Sequence, residues 1–312
     1  HWALDIYQTK LDPETEILPL MGSKEGIMHI SLAYLNEGDA VLVPDPGYPT
    51  YTSVSKLVRA KVVTYDMDSE TGINLDQVTR LTKENNVKII WINFPHMPTG
   101  VRANLNTLRK LVDLARAKGI LLVNDNPYST VLTEDFVSIF QVEGAKEVCL
   151  ELNSLSKSHN MAGWRIGWLS GNAELIRTVL KVKSNMDSGM FQPLQKAAVE
   201  ALLTGKEQIE NSNETYRARR KLAWDLFDKL GCSYSQSNAG MFVWGKQKAG
   251  TGSSAEFSDR ILSEANVFIT PGFIFGRNGE GYQRISLCSS ENVFRQAIER
   301  LQTISQTKQA TP

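Results

Sequence analysis

Short apolar runs alternate with amphipathic stretches from Leu18 to about Leu169, and this rhythm constrains the fold more than any other feature. The apolar runs predict strands buried on both faces of a sheet, at 41–44, 61–67, 87–94, 120–126 and 148–155. The stretches between them predict helices at 24–36, 75–85 and 104–118. Strands that alternate with helices indicate βαβ units. We therefore predict an α/β fold, a three-layer sandwich around a mostly parallel sheet.

The rhythm changes after Gly171, where helical patterns follow one another. They predict helices at 173–185, 192–203 and 207–230, then a strand near 282–287 and a final helix. We interpret this part as a smaller C-terminal α+β domain. Because 312 residues exceed the usual size of a single core, we predict a major domain at 1–204 and a small domain at 205–312.

Acidic and basic residues balance at 34 each, which argues against nucleic acid or an anionic membrane as the main partner. The three cysteines are odd in number and far apart, which suits a reducing compartment. No apolar stretch has the length of a membrane span, and no signal-peptide pattern opens the chain. We predict a cytoplasmic protein without nucleic-acid or membrane partners.

The chain opens with His1, and residues 1–16 resemble the end of a helix entered partway through. We expect a truncated or processed chain, or one that lacks its natural beginning.

Ligands of parallel sheets lie beyond the carboxyl ends of the strands, so the loops at those ends are the candidate sites. The stretch GSKEG (22–26) puts Ser23 at a helix N-cap, where backbone N–H groups and the helix dipole form an anion site. Taken alone, this stretch is better explained as a plain capped helix. Neither a GxGxxG nor a Walker pattern is present, so a dinucleotide or nucleoside triphosphate is not indicated.

Three further strand ends carry rigid or polar loops. PDPGYPTY (44–51) would hold Tyr48 or Tyr51 as an aromatic face above a planar ligand, although tyrosines in such turns are also common packing. NFPHMPTG (93–100) is a proline-kinked loop, and VNDNPY (123–128) places Asp125 where a carboxylate would be partly desolvated. Such a carboxylate needs a cationic or N–H partner, unless it simply forms a turn.

The most unusual stretch is NSLSKSHNMAGWRIGW (153–168), in which a small polar loop after an apolar run carries Lys157, with Arg165 eight residues later. A surface turn would explain the serines but not the two cations framed by glycines and tryptophans.

In this order the motifs resemble the class I/II aminotransferases, which are pyridoxal 5′-phosphate (PLP) enzymes of fold-type I. The resemblance covers essentially the whole chain, and SLSK (154–157) followed by GWRIGW (163–168) is its most specific part. It implies an enzyme that binds PLP and moves an amino group between an amino acid and a 2-oxo acid.

The resemblance also implies a role for each matched residue. Lys157 would hold PLP as an internal aldimine and later move the proton, Asp125 would pair with the pyridine nitrogen, and Tyr128 would lie near the ring's 3′-oxygen. Tyr48 would stack on the ring. The phosphate would be bound by Ser23, Lys24 (through its backbone), Ser154, Ser156 and Arg165.

Arg284 in YQRISL matches the arginine that binds the substrate α-carboxylate. Asn185 lies where the family reaches across to a partner subunit, so a homodimer is implied. No metal is expected.

Two departures from the family pattern stand out. Met97 replaces the usual asparagine that donates a hydrogen bond to the ring 3′-oxygen, and methionine cannot donate one. The family's N-terminal arm is absent, so we expect these residues by themselves to bind PLP weakly or turn over poorly.

The amino donor stays open among aspartate-, alanine- and diaminopimelate-like amino acids, since the motifs are similar to the bacterial aspartate and LL-diaminopimelate aminotransferase branches. Alternatives are a PLP-dependent C–S lyase or synthase of the same fold, and a non-catalytic PLP-fold regulatory module. Lys157, Asp125 and Arg284 argue against the last.

Overall fold

The central strands are buried at every residue except Lys88 because both of their faces are covered, as a computed structural model of the chain shows. The structure describes residues 1–68 and 72–309, with side chains as far as 302. Its strands are β1 (Ile17–Leu20), β2 (Ala40–Asp45), β3 (Lys61–Asp68), β4 (Gly72–Ile73), β5 (Val87–Asn93), β6 (Leu121–Asp125), β7 (Cys149–Ser154), β8 (Gly167–Ser170), β9 (Ser233–Tyr234), β10 (Phe242–Lys246), β11 (Thr270–Pro271) and β12 (Tyr282–Ser286).

The helices follow the amphipathic stretches. They are α1 (Trp2–Tyr7), α2 (Ser23–Tyr34), α3 (Pro49–Leu57), α4 (Leu75–Glu84), α5 (Leu105–Lys118), α6 (Ala145–Val148), α7 (Leu155–Ser158), α8 (Ala173–Lys183), α9 (Gln192–Leu203), α10 (Gly205–Leu230), α11 (Ser254–Ala265) and α12 (Glu291–Gln309). Short 3₁₀ helices lie at Ile139–Gln141, Ala162–Trp164, Gly272–Phe275 and Arg277–Gly279.

The large sheet has eight strands in the order β1-β8-β7-β6-β5-β2-β3-β4. Its central pairs β7·β6, β6·β5, β5·β2 and β2·β3 are parallel, whereas β8, β1 and β4 pair antiparallel. The predicted mostly parallel sheet is therefore confirmed.

Alternate side chains of the same strands enter two different cores. On one face Leu42, Ile90 and Leu122 pack with residues of α4 and α5. Their neighbours in the chain, Val41, Ile89 and Leu121, point to the other face and pack with residues of α2, α3 and α8. The two cores make the fold a three-layer sandwich, as predicted.

A smaller antiparallel sheet, in the order β11-β12-β10-β9, lies after residue 230. Apolar residues of α10, α11 and α12, including Phe227, Phe257 and Phe294, bury one of its faces. The small α+β part is thus confirmed, and the division into 1–204 and 205–312 stays a prediction.

Several elements differ from the sequence-based expectations. Helix α3 was not predicted, because the prolines of 44–51 indicated only a turn, yet Pro49 occupies a first-turn position that suits proline. Strands β1 and β8 are only four residues long, and neither was expected as a separate strand. Helix α2 has Gly22, not Ser23, as its N-cap, and no side chain caps it.

Within the described residues, no helix combines the length and the apolar character that a membrane crossing requires.

Candidate active site

The loops at the carboxyl ends of the central strands enclose a cavity of about 440 Å³. Ten of the site residues that the sequence predicted line this cavity: Ser23, Lys24, Tyr48, Asp125, Tyr128, Ser154, Ser156, Lys157, Arg165 and Arg284. The predicted residue that does not line it is Asn185. The remaining lining residues are Tyr51, Asn93, Met97, Pro127, Ala162 and Phe242. The sheet order brings these loops together, since β2, β5, β6 and β7 are successive neighbours.

Asp125 ends β6 at the floor of the cavity and is only 4% exposed. Its Oδ2 accepts a hydrogen bond of 2.8 Å from the Tyr51 hydroxyl. Its Oδ1 is buried and has no hydrogen-bond partner among the described residues. Burial raises the pKa of Asp125 to about 6, although the Tyr51 hydrogen bond opposes that shift. A buried carboxylate with one free oxygen requires a cation or an N–H donor from a ligand.

Two tyrosines of the 44–51 loop have different surroundings. Tyr51 is buried and stacks on Trp91, with ring centroids 5.0 Å apart and planes 7° apart. Tyr48 is half-buried and meets Tyr51 edge to face at 5.5 Å. The amine of Lys24 lies 5.5 Å from the centroid of the Tyr48 ring. Tyr48 therefore offers the ring face to the cavity's contents, and Tyr51 supports Asp125.

Asn93 ends β5 and joins two loops of the site, a role that the sequence analysis missed. Its Nδ2 donates to the main-chain oxygen of Asp125 at 2.5 Å, and its Oδ1 accepts from the main-chain nitrogen of Met97 at 2.7 Å. The sequence did contain a signal for Asn93. Its side-chain amide stands at the end of an apolar strand, in the same way as the Asp125 carboxylate.

Lys157 lies in α7, the single turn that follows β7, and is half-buried. Lys157 lines the cavity, and among the described residues no hydrogen bond or ion pair is made by its amine. Ser154 fixes the start of that turn, since its hydroxyl accepts from the Ser156 N–H at 3.1 Å. The cavity thus contains a primary amine that is available for reaction.

One end of the cavity meets the N-terminus of α2, which is a candidate anion site. Arg165 approaches it and donates from Nη2 to the main-chain oxygen of Met21 at 3.3 Å and from Nη1 to that of Ala162 at 2.8 Å. Gly22 permits the approach, because a Cβ on it would lie 2.3 Å from the Arg165 Nη2. Free N–H groups, a helix dipole and a guanidinium together suit a phosphate group.

The opposite wall carries a second cation, Arg284 of β12. Its guanidinium carbon lies 4.3 Å from the Phe242 ring centroid and 4.6 Å from that of Phe275. Nη1 lies 3.7 Å from the Met97 sulfur, and the buried Nε has no partner among the described residues. Burial lowers the pKa of Arg284. A desolvated guanidinium without a carboxylate partner is suited to bind an anionic group of a substrate.

Tyr128 stands beside this arginine, with its ring edge to face against Phe242 at 5.7 Å. Burial raises its pKa, so the hydroxyl remains a neutral donor at physiological pH.

Asn185 is exposed and lies outside the cavity, where its Nδ2 donates to the main-chain oxygen of Lys181 at 2.7 Å. Its predicted role across a subunit boundary stays a prediction.

Comparison with known proteins gives consistent results. The family model described as aminotransferase class I and II matches residues 1–301. The LL-diaminopimelate aminotransferase of Aquifex aeolicus is 40% identical over 307 residues, which are 97% of this chain and 79% of that protein. The enzyme of the same name from Moorella thermoacetica is 38% identical, over 97% of this chain and 78% of that protein.

Solved structures of similar proteins also superpose closely. Substrate-bound BacF from Bacillus subtilis has a TM-score of 0.92 and 32% identity, with 97% of this chain and 78% of that chain covered. A probable N-succinyldiaminopimelate aminotransferase from Thermus thermophilus has a TM-score of 0.88 and 32% identity, with 97% and 82% covered.

Proposed function

This chain belongs to the class I and II aminotransferases, and we propose that it binds PLP in the 440 Å³ cavity through Lys157 and uses a diaminopimelate-like amino donor. As a member of this family it is a transaminase that acts on amino acids and 2-oxo acids. One observation carries the cofactor proposal: the buried, unpaired Oδ1 of Asp125 lies in the same cavity as the Lys157 amine. That pair of groups suits a protonated heterocyclic nitrogen and a reactive carbonyl in one ligand.

In this proposal the phosphate is held by Arg165, the N-terminus of α2 and the hydroxyls of three serines, Ser23, Ser154 and Ser156. Tyr48 would cover one face of the ring, and the Tyr128 hydroxyl would donate a hydrogen bond to the ring oxygen. Asp125 keeps the ring nitrogen protonated, because an ionised carboxylate in a poorly solvated site strongly favours the charged form of its partner. When bound, PLP supplies an electron sink for the charge released at the substrate Cα.

The remaining chemistry belongs to two side chains. Lys157 would hold the cofactor through its carbonyl group, and its Nζ, as a free amine, would be the base that takes up and returns the proton of the substrate Cα. The Arg284 guanidinium binds the α-carboxylate through parallel hydrogen bonds, which fixes the Cα–H bond that Lys157 meets.

The proposed donor class rests on the named activity of the relatives, several of which are LL-diaminopimelate aminotransferases at 36–40% identity. A 2,6-diamino dicarboxylic acid presents the α-amino and α-carboxylate groups that Lys157 and Arg284 require. Aspartate and alanine present the same groups and are the competing donors.

We also propose that the active protein is a homodimer. An apolar groove of about 630 Å³ lies between α1 and α9, where Val199 and Leu202 are among its lining residues. Phe191 and Leu203, at the two ends of α9, are also exposed. An apolar surface of this kind is typical of a subunit interface.

The test is an absorbance titration with PLP, followed by addition of LL-diaminopimelate, aspartate or alanine. The wild type is expected to show a protein-bound band that one donor converts to the aminated cofactor, while Lys157→Ala shows neither change. Lys118→Ala, which alters an exposed lysine at the end of α5, is the matched control and should behave as the wild type. A band that forms equally in Lys157→Ala, or release of ammonia and pyruvate without a 2-oxo acid, would contradict the proposal.

A further inference from the structure

The end of strand β2 is tied to a loop of the small sheet that lies far away in sequence. Asp45, the last residue of β2, is 6% exposed, and its Oδ1 accepts a 2.9 Å hydrogen bond from the main-chain nitrogen of Asn278. The side-chain nitrogen of Asn278, Nδ2, donates in return to the main-chain oxygen of Asp45 at 3.2 Å and to Asp66 Oδ1 at 2.7 Å. Two residues beyond Asp45, the Gly47 N–H donates to the Phe275 main-chain oxygen at 2.7 Å.

The two segments approach so closely that one position between them has no room for a side chain. Gly276 has a φ of 134°, and a Cβ on it would lie 2.2 Å from Asp45 Oδ1. The glycine therefore lets the carboxylate reach the N–H of Asn278. The contact between the end of β2 and the segment 275–278 is therefore closely packed and specific.

Both segments continue directly into opposite walls of the cavity. On the β2 side, Tyr48 follows Asp45 by three residues and presents its ring to the cavity. On the other side, the Phe275 ring packs against the Arg284 guanidinium at 4.6 Å and against Trp244 edge to face at 5.9 Å. A shift of the loop would thus move the wall behind Arg284.

Arg284 depends on these neighbours because no carboxylate among the described residues pairs with it. Among the described residues its guanidinium contacts are the Met97 sulfur and the rings of Phe242 and Phe275. Ring contacts of this kind attract a guanidinium, but they do not impose the geometry that parallel hydrogen bonds to a carboxylate would. The position of Arg284 is therefore sensitive to where the backbone holds Phe275.

We infer that Asp45 is a positioning residue for the substrate carboxylate site. Asp45 holds the segment 275–278 against the end of β2, and this contact fixes the position of the Arg284 guanidinium relative to the Tyr48 ring. The position of the guanidinium in turn sets the affinity for the α-carboxylate of both substrates. This inference rests on the proposed function of Arg284.

The experiment compares Asp45→Ala with the wild type in two measurements. In steady-state kinetics on the PLP-loaded protein, KM for the donor and for the 2-oxo acid should each rise about tenfold, the value of one lost buried hydrogen bond, while kcat changes less than twofold. In hydrogen exchange on the protein without added cofactor, the amides of 45–51 and 272–279 should lose protection together.

Glu280→Ala is the matched control. Glu280 lies two residues after Asn278 and accepts hydrogen bonds of 2.6 and 2.8 Å from Ser254, within the small-sheet part and away from Asp45. Its loss should lower stability but leave both KM values unchanged. Asp45→Asn retains an oxygen that can accept the Asn278 N–H and should rescue most of the KM effect. The milder Asn278→Ala removes only the side-chain donors and should raise KM by a smaller factor, even where Asp45→Ala folds poorly.

An active wild type with unchanged KM in Asp45→Ala and Asn278→Ala would overturn the positioning role alone. A rise of KM in Glu280→Ala equal to that in Asp45→Ala would also overturn it, since the effect would then be general destabilisation. A wild type that turns over no amino donor overturns the proposed function, and with it this role.

Discussion

The Tyr51 hydroxyl donates to Asp125 Oδ2 at 2.8 Å, while the other oxygen of this buried carboxylate has no partner among the described residues. Tyr51 is held in place by its stacking on Trp91, so one side of the carboxylate is fixed and the other is free for a ligand. The hydrogen bond also opposes the effect of burial on the Asp125 pKa. The contact therefore orients the group and favours its ionised form.

Tyr51→Phe should retain the ring stacking and lose this hydrogen bond. Without it the carboxylate is less easily ionised, so kcat should fall about 3- to 10-fold and stability by about 1 kcal/mol. The matched control is Tyr65→Phe, which removes another buried hydroxyl that donates at 2.8 Å to the Trp91 main-chain oxygen. Thermal unfolding and steady-state rates should show a similar stability loss for both variants and a rate loss only for Tyr51→Phe. Equal rates for the two would refute the role of Tyr51.

Asp125→Asn should change how the stability of the cofactor-free protein depends on pH. Burial raises the pKa of Asp125 from 3.8 to about 6, so the folded state retains a proton that the unfolded state has released. Stability consequently falls as pH rises from about 4 to about 6 and stays lower above that window. Asn does not titrate, so urea unfolding should find the variant more stable than the wild type above pH 6, while its PLP affinity is weaker. Parallel pH curves for the two proteins would contradict this assignment.

Met97→Asn should alter the pH titration of the bound cofactor's absorbance. Met97 lines the cavity and its sulfur lies 3.7 Å from Arg284 Nη1, but it cannot donate a hydrogen bond to the ring oxygen. An asparagine would add such a donor, which favours the ionised oxygen and lowers the midpoint of the titration. The control is Met97→Leu, which keeps the side-chain volume and should leave the midpoint unchanged. Met67→Asn cannot serve as a control because Met67 is buried in the main core. An identical midpoint in Met97→Asn would contradict the hypothesis that the methionine at this position changes the titration of the cofactor.

Glu25→Gln should flatten the acid branch of the stability curve. Burial opposes ionisation of Glu25, but hydrogen bonds from His29, the Met21 N–H and Lys183 lower its pKa from 4.5 to about 2. The stabilising contribution is complete above about pH 4.5 and is lost as the pH falls toward 2. Acid titrations followed by circular dichroism should therefore show a smaller loss of stability for the variant in that window. Glu84→Gln, at an exposed pair with Arg80, should retain the wild-type slope.

If the protein is the proposed homodimer, Val199→Glu should convert it to a monomer, because the variant places a charge in the apolar groove between α1 and α9. Val293→Glu is the matched control, since Val293 on α12 is 52% exposed and Val199 is 54% exposed. Sedimentation velocity should give a monomer for the first and a dimer for the second. A Val199→Glu protein that sediments as a dimer would place the interface elsewhere.

Asp125 and Lys157 were predictable because each lies at or just after the end of a recognisable strand. The apolar runs that end before Asp125 and Lys157 identified β6 and β7, and parallel strands present their carboxyl ends at one edge. Helix α3 was missed because local proline signals were interpreted as a turn, and β1 and β8 because four-residue strands carry little periodicity. Asn93 was overlooked since its two hydrogen bonds are made to main-chain atoms that the sequence does not display.

The sequence by itself determined the strands at the centre of the large sheet, because these follow from local periodicity. The roles of the amine, the carboxylate and the two arginines were implied by the resemblance of their motifs to a known family. Only the tertiary structure decided which distant residues meet. Tyr51 reaches Asp125 across 74 residues because β5 lies between β2 and β6 in the sheet. Asp45 meets Asn278 across 233 residues because the small sheet packs its loop against the end of β2. Such contacts depend on strand order and on how the two sheets pack together, and no periodicity of a single segment encodes either of them.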